Sequence, residues 1–282
     1  MSLRGLRRAA SIARIGNMKS QDPVTTPAER AELASVAPRH RLEPFFNETA
    51  KDVLVGLAGN PHLRDVDLLR LLARKDLPRE AILAIASHKE AARNYHVKLG
   101  LLRHPKTPRM VSLPLLKFAY LFDLVRVCQT PGVPTDVKMV AEEAILKKVE
   151  SIPRGERINL ARRASGRVAA GLLGSEDREL IRAALENPFL AESHLLRTLA
   201  SPNVSRVVVE AIAMDSKWSC RYYLRLALIR HPQTPFARVL EFLPDVAVND
   251  LREACIDRRM SEQVRKYVLA HCAERLQKVP RR

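Results

Sequence analysis

Laid over itself so that Pro23 meets Glu150, the chain aligns positions 23–149 with 150–276 without a gap, and 31 of the paired positions are identical. Unrelated sequences of ordinary composition give about 8 over the same span. An ungapped match of this length is hard to obtain by chance and reads as a tandem duplication, which favours a unit that stacks on copies of itself. The clearest block sets V-K-L-G-L-L-R-H-P-K-T-P at 97–108 against L-R-L-A-L-I-R-H-P-Q-T-P at 224–235. The register also pairs Glu29-Arg30 with Glu156-Arg157, Asn60-Pro61 with Asn187-Pro188, Leu68-Leu69-Arg70 with Leu195-Leu196-Arg197, and Asp123-Leu124 with Asp250-Leu251.

Within each half the pattern is helix, stop, helix. Val97 and Leu101 recur at helical spacing, Arg103 and His104 suit the carboxyl end of the helix dipole, and Pro105 ends the helix at His104. Thr107 is expected to cap the next helix with its hydroxyl, with Pro108 at the first helical position. Thr26-Pro27, Thr130-Pro131, Asn187-Pro188 and Ser201-Pro202 punctuate similarly. The spacing predicts helices near 28–36, 49–59, 65–74, 78–87, 93–103, 108–118, 122–128 and 135–149, with a second set at the duplicated positions. Only 10 glycines in 282 residues and a Leu/Ala-rich texture agree with helix. Helices this short bury an apolar face only by sharing it with neighbours, so the expected fold is all-α, an α-solenoid of stacked short helical hairpins.

These strings resemble bacterial repeat proteins of HEAT-like or leucine-rich-repeat-variant type, which carry Leu-Ala-x-x-x-His/Asn-Pro-x-T-Pro. The carriers here are Leu99 to Pro108, Leu226 to Pro235, and the weaker Leu57 to Pro61 and Ala184 to Pro188. The resemblance spans roughly 50–276 and implies a fold without an activity. The cysteine cluster that precedes the repeats in some leucine-rich-repeat-variant proteins is missing, so the resemblance implies no iron–sulfur cofactor.

Charge divides the chain further. The formal charge is +17 with a pI near 10.3, but residues 1–22 supply +4 and residues 277–282 supply +3, leaving +6 and +4 on the two halves. The expected organisation is a basic flexible arm (1–22), a first solenoid half (23–149), a duplicated second half (150–276) and a basic tail (277–282). In the arm, Leu3, Leu6, Ala10 and Ala13 share one helical face. It reads by default as a flexible arm, since Gly5, Gly16 and Asn17 weaken a helix. An amphipathic helix making weak contact with a membrane surface or with nucleic acid, and an organelle transit peptide, are the other readings. Hydrophobic residues at 46% rule out wholesale disorder, and no apolar run reaches membrane-spanning length. Cys128, Cys220, Cys255 and Cys272 form neither a disulfide framework nor a zinc spacing, which suits a reducing, cytoplasmic setting.

No nucleotide-binding or metallopeptidase string occurs, and no cofactor or metal is expected. His104 and His231 each precede a proline at a helix end and read as turn histidines ahead of ligands or bases. Cys128 and Cys255 read as repeat core. Seven basic positions keep their charge between the halves: Arg30/Arg157, Lys51/Arg178, Arg70/Arg197, Arg79/Arg206, Lys98/Arg225, Arg103/Arg230 and Lys138/Arg265. They read either as solvated faces or as a positive stripe for a partner or for phosphates. Trp218 and Tyr222, four apart on one expected helical face beside Arg221 and Arg225, read as repeat packing or as a stacking grip. Candidate contacts are therefore Arg70, Arg79, Lys98, Arg197, Arg206, Arg221, Arg225, Trp218 and Tyr222. The expected function is a non-catalytic scaffold for a protein partner, an acidic one suiting the charge. A nucleic-acid-binding solenoid is the alternative. A HEAT-like alkylpurine DNA glycosylase, with Asp123 or Asp215 in the acidic role, is the less favoured enzyme reading and rests on fold analogy.

Overall fold

The computed structural model describes residues 26–277. The arm and tail named above thus lie almost wholly outside the described residues. Among the described residues there are 19 helices and no strand, and the fold is all-α, 71% helical. The backbone divides into two compact units, one ending at Ala144 and the other beginning at Ile145.

In the first unit, helix α1 (Pro27–Val36) starts with Thr26 as its cap. Glu29 N donates to Thr26 Oγ1 at 3.4 Å, and Thr26 N donates to Glu29 Oε2 at 3.0 Å, while Pro27 fills the first position. This satisfies two of the amides a helix start leaves unpaired. Helix α1 packs on α2 (Lys51–Ala58), and α2 packs on α4 (Arg79–Ala86). Between them in sequence, α3 (Asp65–Leu72) packs on α6 (Tyr95–Arg103), which meets α8 (Leu121–Gln129). Short α5 (Lys89–Arg93) leads into α6, and α7 (Arg109–Leu116) follows it. Leu57, Leu68, Leu71, Ile82, Ile85 and Leu101 form the centre of a shared core. The last helix of this stretch, α9 (Thr135–Lys148), contains the division between the units.

The second unit is likewise built of short helices. Helix α10 (Arg154–Arg163) packs on α12 (Arg178–Leu185), and α12 on α14 (Arg206–Met214). Helix α13 (Glu192–Ala200) packs on α16 (Tyr222–Arg230), then α18 (Val248–Ala254), then α19 (Glu262–Gln277). Single-turn α15 (Ser216–Ser219) precedes α16, and α17 (Phe236–Phe242) follows it.

The expected helices stand close to the observed ones, with ends displaced by a turn or less. Three features differ from expectation. Helix α11 (Gly166–Leu172), capped by Ser165, has no counterpart among the expected helices, and neither do the short α5 and α15. The equivalents of α11 in the first unit are two short 3-10 turns, Arg39–Arg41 and Glu43–Asn47. Pro38 and Pro44 deny that stretch amide donors, whereas G-R-V-A-A-G-L suits a helix. Thr107 does not cap the next helix: its hydroxyl donates back to Leu101 O at 2.6 Å, and Pro108 is the cap residue ahead of Arg109. Thr234 makes the same bond to Leu228 O at 2.6 Å. The third is that Trp218 and Tyr222 do not share a helix, because α15 ends before Cys220 and α16 begins at Tyr222.

One glycine fixes how closely α11 is approached. A Cβ on Gly166 would lie 2.1 Å from Phe189 O and 2.6 Å from a ring carbon of His194, whereas one on Gly155 in α10 would meet nothing within 4 Å. Gly166→Ala is expected to cost about 2–3 kcal/mol through forced displacement of backbone. Gly155→Ala should be neutral or slightly stabilising. Denaturant midpoints followed through Trp218, in the same unit, check both.

Candidate partner-binding surface

The most deeply placed polar groups hold helix ends together, and they do so in matching pairs. Asn60 and Asn187 are wholly buried. Asn60 Nδ2 donates to Ala34 O at 2.7 Å and Ala37 O at 2.9 Å, and its Oδ1 accepts from His62 N at 2.8 Å. Asn187 donates to Ala161 O at 2.6 Å and Ala164 O at 3.0 Å, and accepts from Phe189 N at 2.7 Å. Both residues appear in the sequence only as Asn-Pro punctuation. Their latching role depends on the end of an earlier helix and has no local signature.

The candidate contacts are distributed over several helices. In the first unit Arg70, on α3, pairs with Glu43 at 2.8 Å and lies 4.5 Å from the Phe46 ring centre. Arg79 is exposed at the start of α4, and Lys98, on α6, sits 5.0 Å from the centre of Phe118. In the second unit Arg197 is exposed on α13, and Arg206 pairs with Glu210 at 2.6 Å along α14. Only the last group is brought together. Arg225 donates to Ser219 O at 2.6 Å and pairs with Asp245. Arg221 lies 3.9 Å from Glu192 and 5.9 Å from the Trp218 ring centre. Trp218 itself is 2% exposed, with its indole N–H donated to Leu185 O at 3.0 Å. Its ring is helix packing and presents no free face. Tyr222 is half-buried, its hydroxyl donating to Asp250 and accepting from Ala247 N at 3.2 Å.

Of the other duplicated cations, Arg30 pairs with Glu48 at 2.7 Å and Lys51 with Glu80 at 2.8 Å, while Arg265 donates to the carbonyls of Asp257 and Met260. Arg178 is exposed on α12. Exposed pairs of this kind contribute little stability. Their main effect is to screen positive charge that would otherwise face a ligand.

The remaining chemistry-bearing residues also have structural partners. His104 is buried: Nδ1 accepts from Lys106 N at 3.2 Å, so Nε2 carries the proton and donates to Arg74 O at 2.9 Å. Asp123 accepts from Tyr95 at 2.5 Å, and Asp215 caps α15 through Lys217 N and Trp218 N. Burial pushes the Cys128 thiol up to about 12, so it stays protonated and unreactive at neutral pH.

Two open hollows occur at equivalent places. One, of about 380 Å³, lies between α12 and α14. It is lined by the apolar Leu185, Val207, Ala211 and Met214 and by the charged Arg178, Arg182, Glu210 and Asp215. The other, of about 370 Å³, is bounded by Gly59, Pro61, Ala84, Ser87, His88 and Lys89. Ala84, Ser87 and His88 are the counterparts of Ala211, Met214 and Asp215 in the duplicated register.

The chain matches no protein-family model, no curated protein and no solved structure. Among the described residues no helix is long and apolar enough to cross a membrane, and no group of three or more His, Cys, Asp or Glu residues could hold a metal ion.

His231 supplies a pH dependence. Burial, with help from Arg259, holds its pKa below the usual 6.5, and its Nδ1 accepts from Gln233 N at 3.3 Å. The unfolded chain therefore takes up this proton first as pH falls. Its contribution to stability is complete above about pH 6.5 and is lost as pH drops through the lower folded-state value. Unfolding midpoints of the wild type should decline as pH falls below about 6.5, and His231→Asn should flatten that decline.

Proposed function

We propose that this chain is a non-catalytic α-solenoid scaffold of HEAT-like type, built from two tandem halves, that binds a protein partner carrying apolar and acidic side chains. The hydrogen-bond frames support the two-half reading, since the Asn60/Asn187, Tyr95/Tyr222 and Thr107/Thr234 bonds recur at matching positions of the duplicated register. The observation that carries the function is the hollow between α12 and α14. Its apolar lining, with Met214 67% exposed, beside Arg178 and Arg182 offers a segment both burial and charge pairing. The structural employment of Asp123 and Asp215 weighs against a glycosylase role for either.

The test uses the full chain with a photo-crosslinking residue at Val207, a half-buried position in the hollow. A partner recovered in this way, purified and titrated against the chain, should bind at least tenfold more weakly to Arg178→Glu/Met214→Glu. Unchanged affinity would reject the hollow as the site. Nucleic-acid binding is the second reading, favoured by Arg178 and Arg197, which are exposed and make no ion pair among the described residues. A mixed-sequence duplex titrated from low to moderate salt tests it, because phosphate contacts lose affinity steeply with salt.

A further inference from the structure

The two units carry the same hydrogen-bonded frame with different side chains mounted on it. In the first, Tyr95 donates to Asp123 and accepts from Tyr120 N at 3.1 Å; in the second, Tyr222 donates to Asp250 and accepts from Ala247 N. On the second frame Arg225 is neutralised by Asp245, Ala247 contributes only a methyl group, and the exposed ring is Tyr223, set edge-on to Tyr222 at the position where the first unit has His96. The matching positions of the first frame are Lys98, Phe118 and Tyr120. An aromatic ring stands where the other unit has a carboxylate, and a second stands where it has a methyl group.

Both rings project from the surface. Phe118 is 62% and Tyr120 69% exposed, and Tyr120 leans on Tyr95 with ring centres 4.7 Å apart at 48°. Exposed aromatic rings flanked by cations are a kind of surface that binding sites use. The charge around the rings is positive. Lys98 sits over Phe118, and Lys117 is exposed and makes no ion pair among the described residues. His96 edges Tyr95 at 5.9 Å. Two nearby carboxylates are engaged: Asp123 is largely covered and held by the Tyr95 hydroxyl and by Arg126 at 3.6 Å, and Asp65 accepts from Asn94 Nδ2 at 2.8 Å.

From this we infer that the Lys98–Phe118–Tyr120 surface of the first unit binds single-stranded nucleic acid, bases stacking on Phe118 and Tyr120 and phosphates meeting Lys98 and Lys117. Protruding rings beside unpaired cations suit unstacked bases on an anionic backbone, whereas an apolar peptide side chain is best received in a hollow. A duplex hides the base faces that the rings would engage. The residues of this surface are distinct from those of the hollow between α12 and α14, so the two proposals stand or fall independently.

The experiment is fluorescence anisotropy of the full chain with labelled thymidine and uridine oligonucleotides of about 15 nucleotides, a length within the usual range of single-strand sites. Both strands should bind, more tightly than a duplex of equal length, and the tighter of the two identifies DNA or RNA as the ligand. Phe118→Ala/Tyr120→Ala should weaken binding about tenfold or more with little change in salt slope. Lys98→Gln should reduce the slope by about 0.7, one single-strand phosphate contact. Phe118→Asp/Tyr120→Ala installs what the second unit carries on the same frame and should lower both affinity and slope, with circular dichroism unchanged. Arg178→Glu/Met214→Glu should keep the ring-dependent preference for single strands. The proposal is overturned if neither oligonucleotide binds at low salt, if the duplex binds as tightly as the single strands, or if removing both rings leaves affinity unchanged. It is also overturned if a glutamate–tyrosine copolymer binds more tightly than either oligonucleotide through the same rings, which would make this a protein site.

Discussion

Asn187→Ala should lower the stability of the second unit by about 3–5 kcal/mol, the largest effect expected from any polar substitution in that unit. The wild-type amide fills three roles at a position without solvent access: it satisfies the carbonyls of Ala161 and Ala164 and supports the amide of Phe189. Alanine leaves the two buried carbonyls without that donor and the part-buried Phe189 amide without its acceptor, each carbonyl costing about 1–3 kcal/mol and the amide less, before relaxation and water entry recover part of it. Asn187→Asp separates this from simple loss of volume. One carboxylate oxygen still accepts from Phe189 N, but the other faces two carbonyl oxygens, so the folded state holds this group's pKa above its unfolded value. The variant should be least stable at neutral pH and recover as pH falls and the carboxyl protonates, opposite in sign to the His231 effect. Denaturant titrations at two pH values, read through Trp218, measure it. An Asn187→Asp variant that, relative to the wild type at each pH, loses stability further on acidification would show that the amide does not donate as described.

Trp218→Ala should cost about 3–5 kcal/mol, the range for deleting a large buried aromatic, and lower the melting temperature by roughly 10 °C or more. Trp218→Phe retains most of the packing but strips Leu185 O of its donor, for about 1–3 kcal/mol. Because Trp218 is the chain's one tryptophan, these variants are followed by circular dichroism, and the wild type should show blue-shifted emission poorly quenched by iodide. A surface grip would behave in the opposite way, with Trp218→Ala melting like the wild type and the wild-type emission readily quenched.

Much of the fold was legible because proline and small polar residues mark where helices stop, and those marks are local. R-H-P-x-T-P locates a helix junction in each half, though Thr107 and Thr234 serve it by binding the previous helix, a preference set by tertiary position. The break between Trp218 and Tyr222 carries no Pro or Gly, so helical spacing alone puts the two side chains on one face. Helix α11 escapes the sequence because the duplicated register transfers the 39–47 pattern to it, where Pro38 and Pro44 prevent a helix that its counterpart forms. The candidate surface was least legible. Identities between the halves select residues that maintain the shared frame, and Tyr95, Tyr222, Asp123 and Asp250 are of this kind. Phe118 and Tyr120 stand out only where the halves differ, once the frame shows that they replace Asp245 and Ala247.

The latches have one further consequence, for how the chain reaches this state. Asn60 reaches back 23 and 26 residues, Tyr95 forward 28, His104 back 30, and Trp218 back 33. Each closes a loop of nearly the same modest length, and closure entropy changes slowly with loop size. No latch waits for a distant part of the chain, so each helix layer locks soon after the segment that completes it is present. Such a chain should fold rapidly and progressively during synthesis, each layer giving the next a finished surface on which to close.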